Sequence, residues 1–304
     1  MSGVKPKRSL PYRVIRANLI GLALGIGMLN FPNATNSLAA HFNHRADTCM
    51  AFADYAAKPQ NQALITHMKQ YVDSRAMYDY AVESGKVVCH RDHLVGANAI
   101  YDPASGRTVL RDFDARHGIS QPLSTLTHEI LHAYQEANGA LSHDVLARRY
   151  DTYSNLLIAQ YKEAASYAYE TAVMYDYFQD NPNHRHMLMF TFSDDMLRVF
   201  EQSLEILREA GTPDIDARNE AMADVFDYVL QHIPLFTEFY AEPYLNPPLG
   251  VTLSRLFAYK TATKDQVTSF TALPNGYNLY RYDSLPKPED AMDGRYLPPA
   301  VAAP

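Results

Sequence analysis

Apolar residues recur every three or four positions over most of the chain, so the pattern is dominated by helices. Cys49, Met50, Phe52 and Tyr55, then Leu64, Met68 and Tyr71, form such stripes across residues 41–84. Leu123, Leu126, Ile130, Tyr134 and Ala137 form another. Ser120 is placed to cap that helix, Pro122 suits its first turn and Gly139 its end. A long helical stretch follows from about Thr152 to Gln179 and stops before Asn181-Pro182-Asn183. Two more are expected at 192–212 and 216–241; the first carries Met196, Val199, Phe200, Leu204 and Leu207 and ends near Gly211-Thr-Pro213. Between the first and second helical regions the pattern turns β-prone. Lys86-Val-Val-Cys89 reads as a short strand. Asn98–Tyr101 and Thr108–Arg111 flank the turn Asp102-Pro-Ala-Ser-Gly106 and predict a hairpin. The expected class is α+β, mostly helical, with a small sheet or hairpin ahead of the 120–139 helix. Beyond Pro243 prolines punctuate the chain, and Leu285–Pro304 is expected to be an extended tail, docked or disordered.

The first 39 residues have a different pattern. Lys5, Lys7, Arg8, Arg13 and Arg16 precede a mostly apolar stretch from Ala17 to Phe31, and Ser37-Leu38-Ala39 places small residues where a signal peptidase reads. This predicts an exported protein, periplasmic or secreted, whose leader is cleaved or retained as an inner-membrane anchor through residues 17–31. No twin-arginine pair is present, which favours general secretion. The expected organisation is then a signal peptide or anchor at 1–39, a catalytic domain with helical additions at 40–242, and a proline-rich extension at 243–304. Only Cys49 and Cys89 carry thiols; they are able to pair in an oxidising compartment and lack the spacing of a thiolate metal site. A net charge of −7 and no basic cluster beyond the leader exclude a nucleic-acid surface.

The chemistry lies in His128-Glu129-Ile130-Leu131-His132, an H-E-x-x-H box inside the 120–139 helix. Residues four apart share a helix face, so both imidazoles can reach one ion, and Glu129, one step round, can reach a water beside it. His128, His132 and Gln135 lie on a face other than the apolar stripe. A catalytic zinc needs a third protein ligand and an open position. The metzincin continuation is excluded, because Gln135 and Asn138 stand where it needs Gly and His. In the following helix Glu163 is the preferred third ligand, since Ala164, Ala165 and Ala168 allow close helix approach. Glu170, seven residues on, is the alternative; His143 and Asp144 in the connecting loop are weaker ones. For a donor to the developing oxyanion, Tyr167, His184 and His186 are the nearest candidates in sequence.

The Thr-x-x-His-Glu-x-x-His-Ala-x-Gln run from Thr125 to Gln135, followed by Glu163-Ala-Ala, resembles gluzincin-type zinc metallopeptidases. It is also similar to uncharacterised bacterial domains described as putative metallopeptidases. The likeness covers roughly residues 85–180. It implies a zincin-like fold, one Zn2+ held by His128, His132 and Glu163, and Glu129 as general base. It also implies peptide or protein substrates that pair with a sheet edge ahead of the active helix, for which residues 107–111 are the expected edge. The function expected is zinc-dependent peptide-bond hydrolysis. Two other functions fit the same residues: a non-catalytic metal-binding scaffold, and an amidase acting on cell-wall linkages. A tail lying across the cleft would make a latent enzyme.

Overall fold

In a computed structural model, residues 48–91, 98–102, 105–111, 118–138, 150–187, 191–232, 261–292 and 294–298 are described. The first 47 residues, where a leader is expected, Gly139, His143, Asp144 and the region 233–260 lie outside them. Among the described residues, no helix is long and apolar enough to cross a membrane.

The fold is α+β and mostly helical, with one small sheet. Strand β1 (Thr48–Ala51) leads into three short helices, α1 (Phe52–Ala57), α2 (Gln62–Gln70) and α3 (Val72–Glu83). Strands β2 (Val87–Arg91), β3 (Ala99–Asp102) and β4 (Arg107–Arg111) follow. The sheet order is β1-β2-β4-β3: β2 runs parallel to β4, and the two outer strands pair antiparallel. Cys49 and Met50 therefore belong to a strand, where their spacing predicts a helix. The disulfide Cys49–Cys89 joins directly opposed residues of β1 and β2, and cross-strand pairing overrides the local period. The β3–β4 hairpin forms as expected, its turn closed by Gly106 at φ +67°. Residues 107–111 are not an edge, however. The ladder to β2 covers the outer side of β4, so β3 is the edge on that side.

The longest helix, α5 (Thr152–Asp180), is the axis of the molecule. It begins at Asp151, whose carboxylate accepts the Ser154 amide proton (2.7 Å). Leu156, Leu157, Tyr161, Ala164, Ala168, Tyr169 and Val173 are all buried, and they point to more than one side. A helix apolar all round must be packed all round. Helix α4 (Ser120–Asn138), which takes in Ser120 as its first residue, covers one side. The hairpin of α6 (Thr191–Glu209) and α7 (Asp214–His232), turned at Gly211 (φ +80°), covers another. Arg218 of α7 bonds Asp73 of α3 (2.6 Å) and both oxygens of Asp176 of α5 (3.0 and 2.9 Å), locking three helices together.

The described part of the proline-rich extension, residues 261–292 and 294–298, is partly core. It contains α8 (Lys264–Thr268), opened by a reciprocal Thr263–Gln266 capping box, and α9 (Pro288–Met292). Val267, Phe270, Leu273, Leu279, Tyr280 and Tyr296 are buried in the same hydrophobic cluster as α5. Arg281 bonds Glu220 (2.9 Å), Asp224 (2.8 Å) and Asp227 (2.7 Å) on α7, and the Tyr161 hydroxyl donates to the Tyr296 carbonyl (2.9 Å).

Candidate metal centre

The apolar stripe of α4 (Leu123, Leu126, Ile130) enters the core. Its other face is covered too: every residue from Leu126 to Ala133 is buried, because α5 lies across the histidine face. Ala164, Ala165 and Ala168, at most 1% exposed, supply the short side chains that let the helices come close. Glu163, fully buried on α5, thereby meets His128 and His132.

His128 Nε2 and His132 Nε2 are 3.1 Å apart; His128 Nε2 is 3.4 Å from one Glu163 oxygen, and His132 Nε2 is 3.3 Å from the other. Bonds of ~2.0–2.2 Å to a tetrahedral ion place its ligand atoms about 3.3–3.5 Å apart. The three side chains thus stand at the separation a metal requires. Hydrogen bonding agrees. Both Glu163 oxygens are buried without a hydrogen-bond partner, which is costly for a carboxylate unless a cation is bound. Burial alone would suppress the charge on His128, but the carboxylates of Glu163 and Glu170 beside it hold its pKa well above the ordinary value. Burial likewise opposes ionisation of Glu163, yet the two imidazoles hold its carboxyl well below the usual range. The cluster calls for positive charge. Two imidazoles and one carboxylate fit a divalent ion, and no second group of this kind occurs among the described residues.

Each imidazole is also anchored from behind. His128 Nδ1 lies 3.0 Å from Glu170 Oε2, and Ser124 Oγ donates to the other Glu170 oxygen. His132 Nδ1 lies 2.9 Å from Gln135 Oε1. With acceptors behind both rings, each Nδ1 carries a proton, and the Nε2 atoms face one another and Glu163. Glu170 therefore stands behind His128, on the side of the ring away from Glu163. Gln135 was visible in sequence only as a residue on the histidine face; its role needed the packing.

Glu129, also buried, accepts the backbone proton of Tyr101 on β3 (2.7 Å). Burial, helped by the Glu163 charge, raises its pKa, while the imidazoles and the Tyr101 amide work against that rise. This tie from the edge strand to the box had no signal in the sequence. The Tyr167 ring, one turn after Glu163, stands edge-on to His128 with centroids 4.8 Å apart. Burial, then the charges of Glu163, Glu170 and Glu129, raise its phenol pKa well above the ordinary value, keeping it a proton donor. His184 is elsewhere. It bonds the Tyr177 hydroxyl (2.5 Å), and Tyr177 lies fourteen residues beyond Glu163, about 21 Å along α5. The side chain of His186, like His143 and Asp144, lies outside the described residues.

The model of a family described as "Putative metallopeptidase family (DUF6782)" matches residues 39–281. No curated protein and no solved structure matches the chain.

Proposed function

Since the chain belongs to that metallopeptidase family, we propose that it is a zinc-dependent peptidase of zincin-like design. The observation that carries this reading is the mutual spacing of His128, His132 and Glu163 at 3.1–3.4 Å, with the Glu163 oxygens otherwise unbonded. Two histidines and a glutamate are a recognised catalytic zinc set, which leaves a position for water and substrate.

Zinc held there would bring the pKa of water toward ~7 and polarise the scissile carbonyl. Glu129 is the general base. The Tyr101 amide steadies one of its oxygens, leaving the other to take a proton from the attacking water and return it to the leaving amine. Its burial-raised pKa suits a group that must both accept and release a proton. Tyr167, kept protonated beside His128, donates to the oxygen that gains charge. Glu170 and Gln135 hold the imidazoles still.

Peptide substrates suit the edge strand. The amide of Gly106 and that of Arg111 bond the carbonyls of Asp102 and Asn98, so the even-numbered residues of this strand face β4. Tyr101 faces the other way, toward Glu129. An extended peptide added along β3 would cross the general base, and backbone pairing tolerates varied side chains. The cross-strand disulfide fits an oxidising compartment and agrees with the leader pattern at 1–39, so the site of action is taken to be outside the cytoplasm.

The test has two stages. Metal analysis of the purified protein should find one zinc per chain, lost in Glu163→Ala. A peptide library read by mass spectrometry should show cleavage by the wild type and a fall of at least about 10²-fold in Glu129→Gln, with zinc retained. Zinc without cleavage of any peptide would favour a scaffold, and cleavage of cell-wall material alone an amidase.

A further inference from the structure

We propose that Gln135 is a positioning residue that fixes the tautomer of His132, and that it is oriented for this by two backbone carbonyls, those of Lys162 on α5 and Phe270 in the C-terminal segment. The inference rests on the metal-site reading above and adds the device that presents one ligand.

Gln135 is 1% exposed, so its amide must find partners within the protein. Its Nε2 donates to Phe270 O at 3.0 Å and to Lys162 O at 3.2 Å, which uses both N–H groups. Its Oε1 lies 2.9 Å from His132 Nδ1. Turning the amide end for end would press its oxygen against two carbonyl oxygens, neither of which can donate to it. The amide orientation is therefore dictated by the backbone and not by the imidazole. A carbonyl oxygen only accepts, so the proton between Oε1 and Nδ1 must sit on Nδ1. His132 then has its lone pair on Nε2, toward His128 and Glu163. Ser166 Oγ, 3.3 Å from Nδ1, is the more distant neighbour, and its hydroxyl can rotate to accept.

The two carbonyls come from different parts of the chain. Lys162 precedes the ligand Glu163, so the same amide that sets the tautomer also ties the α4 face to the α5 face at ligand level. Phe270 lies 135 residues beyond Gln135, in a segment held by the Ala262 amide on Ser154 Oγ (2.8 Å) and by Arg281 on α7. The docked C-terminal segment thereby supplies part of the second layer of a centre whose first layer lies between residues 128 and 163. Replacing Gln135 by Met keeps the length of the side chain but removes the acceptor, which frees His132 to populate the Nε2–H form that cannot bind through Nε2.

The experiment is nitrogen-detected NMR of the metal-free full chain carrying ¹⁵N-histidine, together with zinc affinity from competition with a chelator. His132 should be Nδ1–H in the wild type and should shift to a mixture or to Nε2–H in Gln135→Met. Zinc should bind that variant about 10–100-fold more weakly. Ser166→Ala should leave both readouts unchanged. The proposal is overturned if the wild-type ring is Nε2–H, a result that needs no variant. It is equally overturned if Gln135→Met keeps the wild-type tautomer and affinity, or if Ser166→Ala moves the tautomer instead. A wild-type chain that is Nδ1–H yet binds no zinc would sink the metal reading and leave the tautomer assignment standing.

Discussion

Changing Glu163 to Gln should lower stability without metal and lower it further when zinc is present. The substitution keeps volume and shape, so no cavity forms. In the metal-free protein Glu163 is a fully buried carboxylate whose oxygens have no hydrogen-bond partner and only two imidazoles at 3.3–3.4 Å. The imidazoles hold that carboxyl ionised, so replacing it alone removes one partner of a buried ion pair, a loss of about 3–5 kcal/mol. A hydrogen bond from the new amide to an Nε2 atom recovers about 1 kcal/mol of it. In chelator, then, Glu163→Gln should melt below the wild type. With zinc at about 100 times its Kd, the wild type gains about 2.7 kcal/mol, whereas the variant, with a neutral amide for a ligand, gains little. For a chain of this size that is a rise of about 5–10 °C for the wild type alone, so the gap between the two midpoints widens. Thermal unfolding followed by circular dichroism, in chelator and in zinc, measures it. The reasoning fails if zinc leaves the wild-type midpoint where it was. It also fails if the variant is as stable as the wild type in chelator, for the Glu163 charge would then do nothing for the metal-free fold.

Three other outcomes follow from the same contacts. Removing the Cys49–Cys89 bond in a double alanine variant should lower stability by up to about 4 kcal/mol, the chain-entropy value for a loop of 40 residues, measured by denaturant unfolding. Arg218→Ala leaves Asp73 and Asp176 facing each other without their cation in the interior; a loss of about 3–5 kcal/mol is expected in the same assay. Burial outweighs Arg218 at Asp176 and raises its pKa from 3.8 to about 6. The folded protein therefore binds more protons there than the unfolded chain between those values, and this contribution, full below pH 3.8, is lost as pH rises through 6. Wild-type stability should fall relative to Asp176→Asn over that window, and parallel curves for the two proteins would contradict it.

Local sequence was enough for the parts of this protein whose cause is local. The 120–138 helix, its two histidines on one face and the glutamate between them follow from a period of 3.6, and the hairpin about Gly106 follows from turn chemistry. Glu163 was legible for a related reason: the alanines around it advertise a helix that another backbone can approach. What depended on partners distant in the chain was not legible. Cys49 and Met50 have helical spacing but lie in a strand, because the pairing and disulfide to β2 reward an extended backbone more than the local period does. Residues 107–111 look like an edge until β2 is found beside them, and no pattern within a strand records which neighbour it will have. Glu170 reads as a spare ligand, Gln135 as one more polar residue, and the chain after 243 as a proline-punctuated extension. Only in three dimensions do Glu170 and Gln135 stand behind the imidazoles, with Phe270 from that extension holding the amide in place. The pairing of the two histidines is thus encoded by spacing along one helix turn, whereas their orientation is set by side-chain acceptors that meet them only after the chain has folded.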